Sequence, residues 1–285
     1  MVTVIAAPPF ATIQDLGRPG FRDIGVPPSG LADRDSGIFL NNLLGNENGS
    51  AMLEWAVAGG RLSFETDAVV AVGGAQAVCT LDGKALVPWL TVEVASGTEL
   101  VVERIVRGRF LLIAVRGGFD VARVLGSRST LVSAGIGGHE GRRLRTGDRL
   151  PIGDERAAAT SVAVPPMFQG DAPIPVMRGP QTGLFDENAW STLLGGPFVV
   201  SRASDRSGYR LDGPQMHHRG SVSLPSEPAC VGAIQVPDGG SPIVIMHDGP
   251  TVGGYPKIAV IRSAALSRFS QLAPGDPVRF VLDEP

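Results

Sequence analysis

The chain has 285 residues and a net charge of −3 with no long run of one sign, which excludes the electrostatic footprint of a protein that grips nucleic acid or an anionic membrane. With 43% hydrophobic and 19% charged residues it has the make-up of a globular protein with a sizeable core, and no apolar run approaches the roughly 20 residues that cross a bilayer. Its 38 glycines and 23 prolines stand well above average usage of about 7% and 5%, a punctuation that suits short strands and tight turns and excludes a helical bundle.

The opening MVTVIAAPPFATIQDLG has no basic lead, and Pro8-Pro9 interrupt what would be the apolar core of a signal peptide. Cys79 and Cys230 each stand alone in an apolar neighbourhood and are expected as reduced, buried thiols rather than a disulfide framework or a metal site. A cytoplasmic location is the expectation. From Thr12 to Gly30, TIQDLGRPGFRDIGVPPSG crowds Gln14, Asp15, Arg18 and Asp23 between turn formers; it reads as loop architecture, with Asp15 and Arg18 a local pair, and secondarily as a segment that lines a cleft or contacts a partner subunit.

ADRDSGIFLNNLLGN predicts a helix that places Ile38, Phe39, Leu43 and Leu44 on one face and stops at Gly45. Strand patterns follow in RLSFE, AVVAV, AVCTL, ALVPWLTVEV, ELVVERI and RFLLIAV, with Asp82-Gly83 a two-residue hairpin signal. HEGRRLR, the most basic segment, reads as a solvated turn ahead of an anion-binding patch. Between about residues 154 and 175 periodicity is lost and prolines collect, so the expected domains are 1–160 and 171–285. Two more helices are predicted, DENAWSTLLGG from an Asp N-cap to Gly195, and SAALSRFSQLAPGD from Ser263 to before Pro274. LRTGDRLPI and LAPGDPVRF each read as a Gly-Asp turn feeding a closing strand, a hint of two similar halves.

No P-loop, Gly-x-Ser-x-Gly elbow, His-Glu-x-x-His or Cys-x-x-Cys motif occurs; GSRST comes nearest to the elbow and lacks its second glycine. What is present is sharper. The chain has two tyrosines, Tyr209 and Tyr255, and two lysines, Lys84 and Lys257, and three of these four fall in SDRSGYRL and TVGGYPK. In the second segment Gly253 and Gly254 permit a left-handed turn or a close approach, and Pro256 stiffens the corner that presents Tyr255 and Lys257. In the first, Asp205, Arg206 and Tyr209 form either a surface loop with local ion pairs or an anion-recognition loop. Gln181 and Gln235 offer the amide complement of a urea or lactam edge, beside Asp248 and Thr251.

These segments, with TIQDLGRPGF, GVPPSG, NNLLGN, VLGSRST, GGHEGRRLRTGD, RGPQ and IQVPDGGSPI, occur in the order found in the allophanate hydrolase subunit 2 family, which the chain resembles over nearly its whole length. That family is also called KipA or the 5-oxoprolinase C subunit and includes the carboxyltransferase part of urea amidolyase. The chain departs from the family pattern at Val252, where a second threonine is common. The resemblance implies a mainly β protein of two cyclophilin-like β-barrel domains with a few short helices. It implies a hydrolase component that opens the lactam of 5-oxo-L-proline to L-glutamate in an ATP-dependent complex. The partners would be a KipI-like (allophanate hydrolase subunit 1) protein and a LamB/YcsF-type third subunit, with ATP used on another subunit and no covalently bound cofactor. On that reading Arg206 clamps the substrate carboxylate, Tyr255 and Lys257 serve the lactam oxygen, and Asp205 or Asp248 orients them or acts as base. Two alternatives remain open, a biotin-dependent carboxyltransferase component acting on urea and a non-catalytic KipA-like regulator.

Overall fold

The computed structural model describes residues 1–56, 59–154, 164–166, 170, 172–220 and 224–283. Among the described residues strands dominate and three α-helices accompany them, so the mainly β expectation is borne out. The chain divides into two compact units, one of Met1–Arg18 with Ser29–Phe168 and one of Pro19–Pro28 with Gln169–Pro285.

In the first unit a nine-stranded sheet is built around the pairing of Ala68–Leu81 with Glu99–Val115. Alternate apolar residues of its strands meet in a core that includes Val4, Ile13, Trp55, Phe64 and Val72. The predicted hairpin forms at Asp82 and Gly83, with φ of 46° and 76°. Helix α1 (Arg34–Leu44) starts where the Asp33 carboxylate accepts the Ser36 N–H at 3.1 Å and ends on left-handed Gly45, as read from the sequence. It buries Leu40 and Leu44 against Ala71 and Leu112 of the sheet.

The crowded segment around Asp15 is a buried polar hub. Its carboxylate accepts Ser127 Oγ and Ser129 Oγ, each at 2.6 Å, with the N–H groups of Arg128 at 2.6 Å and Gly17 at 2.7 Å. Four donors satisfy the oxygens of this buried carboxylate. GSRST thus closes a loop, and its serines are spent on structure. The basic segment is neutralised locally, since Arg142 bonds Asp148 at 2.8 and 2.9 Å.

The second unit carries an eight-stranded sheet in the order Pro277–Val278, Phe198–Val200, Gly208–Asp212, Ile243–Ile245, Ala233–Gln235, Lys257–Ile261, Ile174–Arg178 and Phe280–Leu282. Every pair is antiparallel except the last, which is parallel. Ile174, Val176, Val244, Ile258 and Phe269 are buried. Helix α2 (Glu187–Gly195) begins on Asp186, whose carboxylate accepts the Ala189 N–H at 2.8 Å. Helix α3 (Ser263–Ser270) lays Ala265 and Phe269 inward. A separate ribbon pairs Glu227–Pro228 with Val252–Gly253.

The two Gly-Asp turns share one local geometry. Gly147 and Gly275 both have φ of 94°. Each following carboxylate accepts the N–H three residues back, Asp148 from Arg145 at 2.7 Å and Asp276 from Ala273 at 2.8 Å. Each glycine N–H bonds a strand carbonyl at 2.8 Å, that of Val4 and that of Val200, and those valines return a bond to the Asp carbonyls.

Candidate functional site

The sequence grouped eleven residues in the C-terminal half, and the second unit sorts them into two sets. Strand Ile243–Ile245 is the ruler. Gln235 lies opposite Ile243 at its start, whereas Gly208 lies opposite Ile245 at its end, with Asp248 three residues further on. Gln235 and Lys257 therefore mark one end of the sheet, and the SDRSGYRL loop with Asp248 marks the other.

At the Asp248 end, Arg206 donates to both carboxylate oxygens, Nε to Oδ2 at 2.8 Å and Nη2 to Oδ1 at 3.1 Å. This is the fork geometry that makes Arg–carboxylate pairs specific. Asp248 is consequently the counter-ion of Arg206 and not an open base. Asp205 is exposed, and its Oδ1 accepts the N–H groups of Ser207 at 2.7 Å and Gly208 at 3.2 Å, an Asx turn that shapes the loop. Tyr209 is wholly buried, packs on Phe269 with ring centroids 5.3 Å apart, and donates its hydroxyl to the Ser270 carbonyl at 2.5 Å. It satisfies one of the carbonyls that the end of α3 leaves over. Its expected contact with substrate is replaced by a structural one, because strand alternation points it inward.

At the other end a bulge decides the arrangement. Ala233 faces Val260 and Ile234 faces Ala259, but Gln235 faces Lys257, so Ile258 is the extra residue. A bulge re-aims the side chains beyond it. Lys257 is 3% exposed and bonds Glu227 Oε1 through its ammonium. The same oxygen accepts Gln181 Nε2 at 2.6 Å, while Gln181 Oε1 accepts the Lys257 N–H at 3.2 Å. One donor and the acceptor of the Gln181 amide are thereby engaged, and it positions Lys257 and Glu227. Gln181 is held in place because Gly179 lies so near the strand that a Cβ there would collide with the Lys257 carbonyl oxygen.

The Lys257 hydrogen bond holds the Glu227 carboxyl below the usual carboxylate range, against the opposing effect of burial and with help from Gln181. Gln235 is 5% exposed and its Nε2 is buried without a hydrogen-bond partner. Gly253 lies over that amide, and a Cβ there would stand 2.9 Å from Nε2. Gly253 thus closes on the Gln235 side chain, and neither Gly253 nor Gly254 has a positive φ. Thr251 is buried, and its carbonyl accepts the Ala229 N–H at 3.0 Å and Arg22 Nη2 at 3.4 Å. Tyr255 is 49% exposed while Lys257 is enclosed, so the glycine–proline corner does not turn both inward. Cys230, expected as buried, is exposed beside Ala229, and Cys79 is buried.

Two residues escaped the sequence reading. Glu227 has one signal, as the sole acidic residue between Asp212 and Asp238. Arg22 has no signal of its own inside the dense segment from Thr12 to Gly30, which precedes the rest of the second unit by some 150 positions; its Nη2 reaches the Ala229 carbonyl as well as that of Thr251.

Residues 24–282 match the carboxyltransferase domain family, subdomains A and B. The chain belongs to that family. Among carboxyltransferase-domain proteins it is 36% identical over 282 residues to the 5-oxoprolinase C subunit of Escherichia coli strain K12, covering 99% of this chain and 91% of the relative. The protein of the same name from Haemophilus influenzae is 31% identical, with 98% and 90% covered. The crystal structure of K. lactis urea amidolyase superposes with a TM-score of 0.92 at 32% identity, over 99% of this chain and 19% of that one. The family resemblance drawn from the sequence is thus borne out. These relatives are named as enzymes or parts of enzymes. Among the described residues no helix is long and apolar enough to cross a membrane.

Proposed function

We propose that the chain is the C subunit of an ATP-dependent 5-oxoprolinase, which opens the lactam of 5-oxo-L-proline to L-glutamate together with a KipI-like subunit and a LamB/YcsF-type subunit in the cytoplasm. The observation that carries the reading is the near end-to-end similarity, at 36% and 31% identity, to two proteins named as the C subunit of 5-oxoprolinase. The Lys257 end of the sheet supports it chemically. A lactam presents a carbonyl oxygen on which negative charge develops as water adds, and a preorganised cation and amide donor stabilise that charge. Lys257 supplies the cation, fixed by Glu227 and Gln181, and Gln235 supplies an unspent donor. Arg22, which reaches the adjoining ribbon, is the guanidinium this arrangement offers to the substrate carboxylate. ATP is assigned to a partner subunit, since no P-loop occurs here.

A second reading, carboxyl transfer from carboxybiotin to urea, draws on the superposition with urea amidolyase. The ureido ring of biotin and urea itself present the same carbonyl edge, which the unpartnered Gln235 amide fits. Co-purifying the chain with both partner subunits and measuring ATP-dependent glutamate release from 5-oxoproline separates the two. Release that falls at least tenfold in Lys257→Met supports the first. Inactivity on 5-oxoproline, with carboxylation of urea when a biotin carboxylase is supplied, replaces it by the second.

A further inference from the structure

We infer that the ribbon of Glu227–Pro228 and Val252–Gly253 is a latch over Gln235, and that with the latch lifted the carbonyl oxygen of a small amide accepts the hydrogen bond that Gln235 Nε2 lacks. The inference rests on the amide-substrate reading above. An amide NH2 only donates, so whatever completes it must be an acceptor. Its site is walled by Gly253, whose ladder partner is Glu227, so a carboxylate stands close by. Once that carboxylate leaves with the ribbon, the Lys257 ammonium remains opposite Gln235, and the partial negative charge of an amide carbonyl oxygen is drawn to both donors. Lactams and ureas carry one.

The ribbon is built to come away. It has two residues on each side and belongs to neither large sheet. Among the described residues its fastenings are the Glu227 carboxylate on Lys257 and Gln181, the Ala229 N–H on the Thr251 carbonyl, and Arg22 on the carbonyls of Ala229 and Thr251. Val252 is 53% exposed. Because Lys257 lies opposite Gln235 across the bulged pair, releasing Glu227 bares an ammonium and an amide donor together. Substrate entry and the unveiling of the cation are then one event.

The test is an NMR titration of the full-length chain with 2-pyrrolidone and, separately, urea. The side-chain amide signal of Gln235, identified as the one lost in Gln235→Leu, shifts with both probes and stays in place with pyrrolidine, which keeps the ring and lacks the carbonyl. In Glu227→Ala the apparent Kd for 2-pyrrolidone falls at least threefold, since a larger fraction is open before binding, and hydrogen exchange at residues 252–255 accelerates. Should Glu227→Ala not fold, Glu227→Gln serves the same comparison, as it keeps the shape and weakens the bond to Lys257. A Gln235 signal unmoved by either amide overturns the site. A shift with Kd unchanged or raised in both Glu227 variants overturns the latch. Absence of 5-oxoproline turnover in the assembled complex sinks the function above and leaves this titration intact.

Discussion

Lys257 and Glu227 form an ion pair whose two halves differ in enclosure, with the lysine side chain 4% and the glutamate 36% exposed. Of the two lysines in the chain, Lys84 is exposed and Lys257 is buried. An enclosed ammonium is tolerated only with a partner, and removing that partner leaves an uncompensated charge. The asymmetry makes Glu227 the member that can leave.

Acidification tests this pair directly. Because the folded-state pKa of Glu227 is depressed, the stabilisation it brings is full above its unfolded value of about 4.3 and is lost as pH falls through the folded value. A carboxyl titration followed by 13C NMR is expected to place the Glu227 midpoint below 4.3 in wild type. In Lys257→Met it moves upward, since the largest cause of the depression is gone. A midpoint that does not respond to Lys257→Met removes the ion pair from the site.

Gln235→Leu is expected to separate stability from activity. The substitution removes a buried donor with no acceptor, a group that costs about 1–3 kcal/mol when left unsatisfied. Urea denaturation is expected to show the variant at least as stable as wild type, while kcat/KM of the assembled enzyme drops tenfold or more, about 1.4 kcal/mol of lost transition-state stabilisation. Parallel loss of both returns Gln235 to the core.

Tyr209→Phe is expected to do the reverse. Losing the bond to the Ser270 carbonyl costs about 0.5–1.5 kcal/mol of stability. Kinetic constants for 5-oxoproline stay within twofold, because the ring sits in the core beside Phe269. A large fall in kcat at unchanged stability contradicts that placement.

Thiol counting tests the cysteine assignments. Burial pushes the Cys79 thiol up to about 11, with Glu103 adding to the effect. An aromatic disulfide reagent at pH 8 is expected to titrate one thiol in the native chain, Cys230, and two after unfolding. Two fast thiols in the native state contradict the burial of Cys79.

The sequence alone was enough for the fold class, the three helices, the Asp82-Gly83 hairpin and the family, because each rests on local rules. Cap residues, period-two alternation and short ordered motifs act over a few positions. It also singled out the corner before Lys257 and the amides Gln181 and Gln235. Tertiary structure alone decided where those groups stand and what they touch. The bulge at Ile258 sets Lys257 opposite Gln235, and a one-residue slip in register moves a side chain to the other face of a sheet. Tyr209 and Asp205 fell out of the site for related reasons, one turned inward by strand alternation and the other spent on its own loop. Glu227 and Arg22 came in from 30 and some 230 positions away, a separation that pairing across the fold closes and that no local pattern encodes.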